Sequence, residues 1–422
     1  MLLAGLLGPA LLPATAGDRH EGVASCAGGT CHGATRPLGD SGIRQDEYFI
    51  WQQRDPHSQA SATLGSERSR RIGVRLGIQP QTAAQCLACH GDAAAPGQRG
   101  ERWLASDGIG CETCHGGSGR WLAEHTQPGM ALADKVALGM TPTWQPQARA
   151  ALCQSCHQGD AEHPITHAMM AAGHPPLLFE LDTFVALQPP HHDRDADYQQ
   201  RKGAQDPARN WALGQALAAD RLLHSLEDGR IGAGLFPELV LFDCDACHHP
   251  LNAERWQPGR NAGTAPGTPP LADAPFYWLG LWLEVAAPEL APRWQQGLAA
   301  LQASTDAGRA ALPAAARALR QQLRAQLLPR IEQQSLQPAQ LKNLLRRLAD
   351  LGSSVRANDF LIAEQAAMAS QVLSDALAQQ GQAGSEERRA AIDALFLSVR
   401  RREQFQPAAY HAALGQLQRS LR

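Results

Sequence analysis

The chain has 422 residues, of which 19% are charged and 44% hydrophobic, and a formal net charge of −3. This is an ordinary soluble composition with room for two or three domains. The small net charge gives no electrostatic reason to bind nucleic acid or an anionic membrane surface.

Residues 1–16 form an apolar run, Met1-Leu-Leu-Ala-Gly-Leu-Leu-Gly-Pro-Ala-Leu-Leu-Pro-Ala-Thr-Ala16. An apolar core that closes on small residues is the pattern of a secretory signal peptide. The run is too short, and too rich in Gly and Pro, to span a bilayer. A mature chain is therefore expected to begin near Gly17, in the periplasm or otherwise exported. No later run is long and apolar enough to be a transmembrane segment.

Beyond it come five related cysteine motifs. Four are regular: Cys86-Leu-Ala-Cys89-His90, Cys111-Glu-Thr-Cys114-His115, Cys153-Gln-Ser-Cys156-His157 and Cys244-Asp-Ala-Cys247-His248. The first in the chain is widened by two residues: Cys26-Ala-Gly-Gly-Thr-Cys31-His32. Together they use all ten cysteines. Cys-x-x-Cys-His is the attachment signature of c-type haem. Two cysteines at that spacing reach the two vinyl groups of one porphyrin, and the adjacent histidine ligates the iron. Structural zinc or a disulfide framework would use the cysteines but has no need of a histidine directly after each pair. The expectation is five covalent haems, with His32, His90, His115, His157 and His248 as proximal ligands. Gly28 and Gly29 would let the widened loop bulge.

Residues 17–258 hold fifteen of the sixteen histidines. Five haems in so short a stretch must themselves form much of the core. Short helices and long loops would surround stacked haems, with little regular sheet, and the glycines after the motifs (Gly91, Gly116, Gly117, Gly159) would reverse the chain. A haem iron needs a sixth ligand, and a second histidine closes the site for electron transfer. The histidines available for this are His20, His57, His125, His163, His167, His174, His191, His192, His224 and His249. Asp55 suits a helix cap and Pro56 a first helical turn, which would place His57 at a helix start.

Residues 251–272, with Pro258, Pro266, Pro269 and Pro270, read as a linker that ends a haem domain at 17–250. Residues 273–422 lack cysteine. Leu341, Leu344, Leu345 and Leu348 follow the helical period, and so do Leu319, Leu323 and Leu327. Helices are expected at 275–303, 310–328, 338–350, 357–380, 386–403 and 407–420, forming an antiparallel bundle. The fold class is thus mainly α: a multihaem cytochrome c domain followed by a helical bundle.

The order of signals resembles the four-haem cytochrome c family that accepts electrons from hydroxylamine oxidoreductase in ammonia oxidisers. The resemblance runs through Trp51 to Leu64, Cys86 to His90, Gly108-Ile-Gly-Cys111-Glu-Thr-Cys-His115-Gly-Gly117, and the motif at Cys153. The segment Met169-Met-Ala-Ala-Gly-His174-Pro-Pro-Leu-Leu-Phe-Glu-Leu-Asp-Thr-Phe184 is similar to one in a wider set of multihaem proteins. The resemblance covers roughly residues 20–250. It implies that His57 caps the haem of His157, that His125 caps the haem of His32, and that a histidine from 167–191 serves the haem of His115. It leaves the haem of His90 without a strong sixth ligand. His20, His191 or His224 is then expected to fill that place or to serve His248, with His20 and His191 favoured. The widened first motif and the fifth motif depart from the family.

The expected function is electron transfer through closely packed haems, without a catalytic residue, between donor and acceptor redox proteins. The alternative is a reductase or oxidase of a small nitrogen or sulfur oxyanion at the His90 haem, with Arg99, Arg102 and Asp107 as nearby polar groups. A third reading gives the C-terminal helices a docking role.

Overall fold

The structure is a computed structural model that describes residues 19–37, 43–228, 238–248, 267–305, 307, 311–353 and 358–422. The expected signal peptide, His249 and residues 251–266 of the expected linker lie outside the described residues. As the sequence predicts, the fold is mainly α. The described residues contain no strand, only the isolated bridges His20–Arg99 and Phe242–Leu271.

The chain divides into two compact units, 1–148 with 189–195, and 149–188 with 196–422. The first unit is built of short pieces, among them Glu47–Arg54, Glu67–Leu76, Ala84–His90 and Cys111–His115. Its buried apolar side chains are few and scattered: Val23, Ile50, Leu64, Ile109 and Trp121 are the larger ones. So small a core agrees with a unit whose interior is meant for another group.

The second unit has a continuous apolar core. The helix Pro207–Asp228 runs through it with residues on every face buried, and it packs against Ala274–Ala286, Ala311–Gln322 and Phe360–Gln379. Trp211, Trp278, Trp282 and Trp294 are fully buried there. The predicted leucine stripes face inward: Leu341, Leu344, Leu345 and Leu348 are buried, as are Leu319, Leu323 and Leu327.

Residues 149–188 and 196–228 group with the C-terminal helices because Pro207–Asp228 has too much apolar surface to stand apart from them. Two helix expectations are corrected. The helix expected at 275–303 is two, Ala274–Ala286 and Ala291–Ser304. Pro288 forces the residue before it out of helical geometry, and Ala287 is accordingly non-helical. The expected 310–328 helix instead runs on to Gln333 through a π turn at Leu323–Leu327.

Candidate haem sites

Three regular motifs sit at the ends of helices that stop on the motif histidine: Ala84–His90, Cys111–His115 and Pro146–His157. The fifth lies on a short 3-10 turn, where the His248 amide donates to the Cys244 carbonyl at 2.8 Å. The widened motif makes the same closure despite its extra residues, the His32 amide donating to the Cys26 carbonyl at 3.1 Å. The surplus chain is taken up in a loop tied by Cys31 and Gly33 amides donating to the Gly28 carbonyl. The insertion therefore leaves the first cysteine and the histidine as close along the backbone as in a regular motif. Of the glycines expected to reverse the chain, Gly116 has φ +83°, whereas Gly91 is in extended backbone.

In the first unit the His32 and His125 ring centroids are 6.2 Å apart, with planes 13° from parallel. The His125 Nδ1 lies 2.7 Å from the Leu122 carbonyl, and the Trp121 ring meets it edge-on. The His32 Nδ1 lies 3.2 Å from a Glu47 carboxylate oxygen. Burial is the largest single effect on Glu47 and opposes its charge, but the His32 hydrogen bond, the backbone amide of Glu47 and the nearby His32 and His191 together hold the carboxyl below its usual range. The same bond lifts His32 above the ordinary imidazole range.

His20 is fixed by backbone bonds to Gln98 and Gly100, and its Nδ1 lies 2.8 Å from Asp92. His57 has Nδ1 2.8 Å from Asp55, whose carboxylate also accepts from the His57 amide as the expected helix cap. The cap opens a 3-10 turn, Pro56–Gln59, rather than an α-turn. His191 is half-buried, with burial pushing its pKa down against the pull of Asp55 and Glu47. The His90 Nδ1 lies 3.3 Å from the Ala60 carbonyl. Arg99 lies over the Trp103 ring and donates to the Ala94 carbonyl, which gives it a structural use.

In the second unit the His167 and His248 ring centroids are 6.0 Å apart, with planes 28° from parallel. His20, His191 or His224 is expected to serve either the His90 or the His248 haem; the ring beside His248 is His167, whose backbone amide donates to the Glu238 carboxylate at 2.6 Å. His157 packs against Phe179 and Phe184, and the His174 Nδ1 lies 2.7 Å from the Pro175 carbonyl. The fourth motif is tied to the long helix by Gln154 donating to the Gly214 carbonyl and Arg221 donating to the Ala151 carbonyl. Arg402, from the C-terminal helices, pairs with Asp245 inside the fifth motif at 2.9 Å.

Sequence reasoning passed over Glu112, the second residue of the third motif. It is 3% exposed and accepts three backbone amides: Glu21 at 2.8 Å, Gly22 at 2.7 Å and Ser118 at 2.8 Å. It thereby holds the His20 segment against the third motif. The Gly-Ile-Gly run before that motif has an equally specific use. Ile109 donates to the His57 carbonyl, Trp51 donates to the Ile109 carbonyl, and Gly108 has φ +66° with the His57 carbonyl where a Cβ would sit. Cys26 and Cys111, the first cysteines of the first and third motifs, lie beside each other, and their interaction pushes the Cys26 thiol up and the Cys111 thiol down. Two porphyrins attached there would start side by side.

The residues fit c-type haem. Two metal–nitrogen bonds of about 2 Å each, plus the distances from nitrogen to ring centre, make roughly 6 Å between the centres of two axial imidazoles. Both ring pairs have that spacing, and in each one ring belongs to a cysteine motif. The buried Trp121 and Trp103 indole N–H groups have no acceptor among the described residues, as donors meant for a porphyrin carboxylate would. A mainly helical chain with cysteine–histidine motifs and paired imidazoles is the arrangement that c-type haem attachment uses. Residues 25–116, which span the first three motifs, match the family model described as cytochrome c554 and c-prime. The match supports covalently bound haem c, electron transfer and redox partners. No curated protein and no solved structure matches the chain significantly. No helix among the described residues is long and apolar enough to cross a membrane.

Proposed function

We propose that the chain is a periplasmic pentahaem c-type cytochrome that carries electrons between redox proteins. The observation that carries this reading is the paired imidazoles at 6.2 Å and 6.0 Å. They stand at the widened first motif and at the fifth, the two that depart from the four-haem pattern. An iron between two imidazoles has no position left for a substrate and suits electron transfer alone.

In this reading the ten cysteines form the thioethers, and His32, His90, His115, His157 and His248 are the proximal ligands. His125 is the sixth ligand opposite His32, and His167 the sixth ligand opposite His248. His20, His57 and one of His174 and His191 serve the three remaining irons. The Nδ1 bonds of His125, His32, His20 and His57 turn Nε2 toward the metal and fix the tautomer. When bound, the haems supply the Fe(III)/Fe(II) couple. Thioether attachment takes place outside the bacterial cytoplasm, which together with the apolar run at 1–16 supports export.

The test combines mass and spectroscopy on the holoprotein. Five haems should remain after acid–acetone extraction, and the oxidised EPR spectrum should be dominated by low-spin signals. Four haems would remove the widened site. Two or more irons reactive to carbon monoxide when reduced, or turnover of nitrite or hydroxylamine at enzyme-like rates, would favour the reductase or oxidase reading.

A further inference from the structure

Three imidazoles of the first unit share a feature. The Nδ1 of His20, His32 and His57 each meets a carboxylate, from Asp92 at 2.8 Å, Glu47 at 3.2 Å and Asp55 at 2.8 Å. The Nδ1 of His90, His125 and His174 each meets a neutral backbone carbonyl. No carboxylate among the described residues hydrogen-bonds Nδ1 of His167 or His248. The three acids come from different places: Asp92 follows the second motif, Glu47 opens the helix Glu47–Arg54, and Asp55 caps the turn after it. They share no local sequence pattern that would produce the contact by accident of spacing. The Asp92 and Asp55 side chains are shielded, at 12% and 6% exposure, so water weakens these bonds little.

We propose that Glu47, Asp92 and Asp55 are potential-setting residues, which lower the midpoints of the haems bound by His32, His20 and His57. The inference rests on the haem ligation proposed above. An anionic acceptor draws the Nδ1 proton and makes Nε2 a stronger donor to iron. A stronger donor favours Fe(III) over Fe(II), so the potential falls. A backbone carbonyl has the same directional effect on the ring but without the charge. The Nδ1 proton that makes the bond is still present when Nε2 is on iron, so metal binding keeps the interaction. The midpoints are thereby spread by residues that touch neither iron nor porphyrin.

The test is spectropotentiometric titration of the holoprotein with haem mass and EPR in parallel. Glu47→Gln keeps an acceptor oxygen of the same shape and removes its charge. It should raise one midpoint, with haem mass and low-spin signals unchanged. Asp92→Asn should raise a different midpoint in the same way. Unmoved or lowered midpoints in both variants, with haems and low-spin signals intact, would overturn the inference while leaving the haem reading standing. A loss of low-spin signal with no midpoint shift would also overturn it, because the carboxylates would then only position their rings. A failed haem reading would show separately, as a wild-type mass short of five haems.

Discussion

Replacing Glu112 by Gln removes one oxygen from a buried carboxylate that accepts three backbone amides. Oε1 accepts from Glu21 and Ser118, and Oε2 from Gly22. Whichever way the amide turns, its NH2 faces at least one N–H donor, so at least one of the three bonds is lost. A hydrogen bond to a charged group contributes about 1.5–3 kcal/mol, and a buried donor left unpaired costs about 1–3 kcal/mol. These overlap rather than add, and we expect a loss of about 2–3 kcal/mol. For a domain of this size that lowers the thermal midpoint by roughly 5–10 °C. The transition of the holoprotein should be followed by circular dichroism. Protection of the 20–22 segment from protease should also fall in the folded variant, because Glu112 holds the Glu21 and Gly22 amides, while the bonds of His20 to Gln98, Gly100 and Asp92 remain. An unchanged midpoint together with unchanged protection would refute the reasoning and make the three amide bonds incidental.

Gly108→Ala places a Cβ 2.8 Å from the His57 carbonyl in a backbone region reserved for glycine. It should cost about 1–3 kcal/mol and, in the oxidised EPR spectrum, disturb one low-spin signal. Glu364 is partly buried, its Oε2 has no hydrogen-bond partner among the described residues, and burial pushes its pKa up to about 7. A raised folded pKa means stability present below the unfolded value and lost as pH rises through about 7. Glu364→Gln should therefore raise the thermal midpoint at pH 8 and change it little at pH 4. Asp220 has the opposite sense. Burial opposes its charge, but hydrogen bonds from Arg324 and Arg320 outweigh it and hold the carboxyl low, so its stabilisation is lost only as pH falls through that depressed value. Asp220→Asn should destabilise at pH 7, and the gap from wild type should narrow in acid.

Much of the chemistry was legible because it is written locally. A cysteine pair with its histidine, or Asp55 before Pro56, lies within a few residues and needs no knowledge of the fold. The leucine stripes of 338–350 are local too, since one helix turn sets their spacing. What stayed hidden depends on partners far along the chain. Nothing in Cys-Glu-Thr-Cys-His says that the Glu112 carboxylate will bind the backbone ninety residues earlier. The same holds for His167 beside His248. The grouping of 149–188 and 196–228 with the C-terminal helices was hidden too, because composition is read locally and packing is not. The burial of Pro207–Asp228 on every face becomes visible only with the helices that surround it. Pro288 carried a readable signal that the long run of Ala and Leu outweighed.

The helix Pro207–Asp228 has a consequence for how the protein is made. It holds the fourth motif through Gln154 and Arg221, and it is itself held by Trp278 and by Arg320 and Arg324 on Asp220. Those anchors owe nothing to a porphyrin. In the proposed reading the second unit folds on its own apolar core and offers Cys153 and Cys156 for haem attachment from a finished scaffold, whereas the first unit, with few and scattered buried apolar side chains, depends on its haems to fold. The two halves of one polypeptide would then mature by opposite routes, one assembling around its cofactors and the other receiving them.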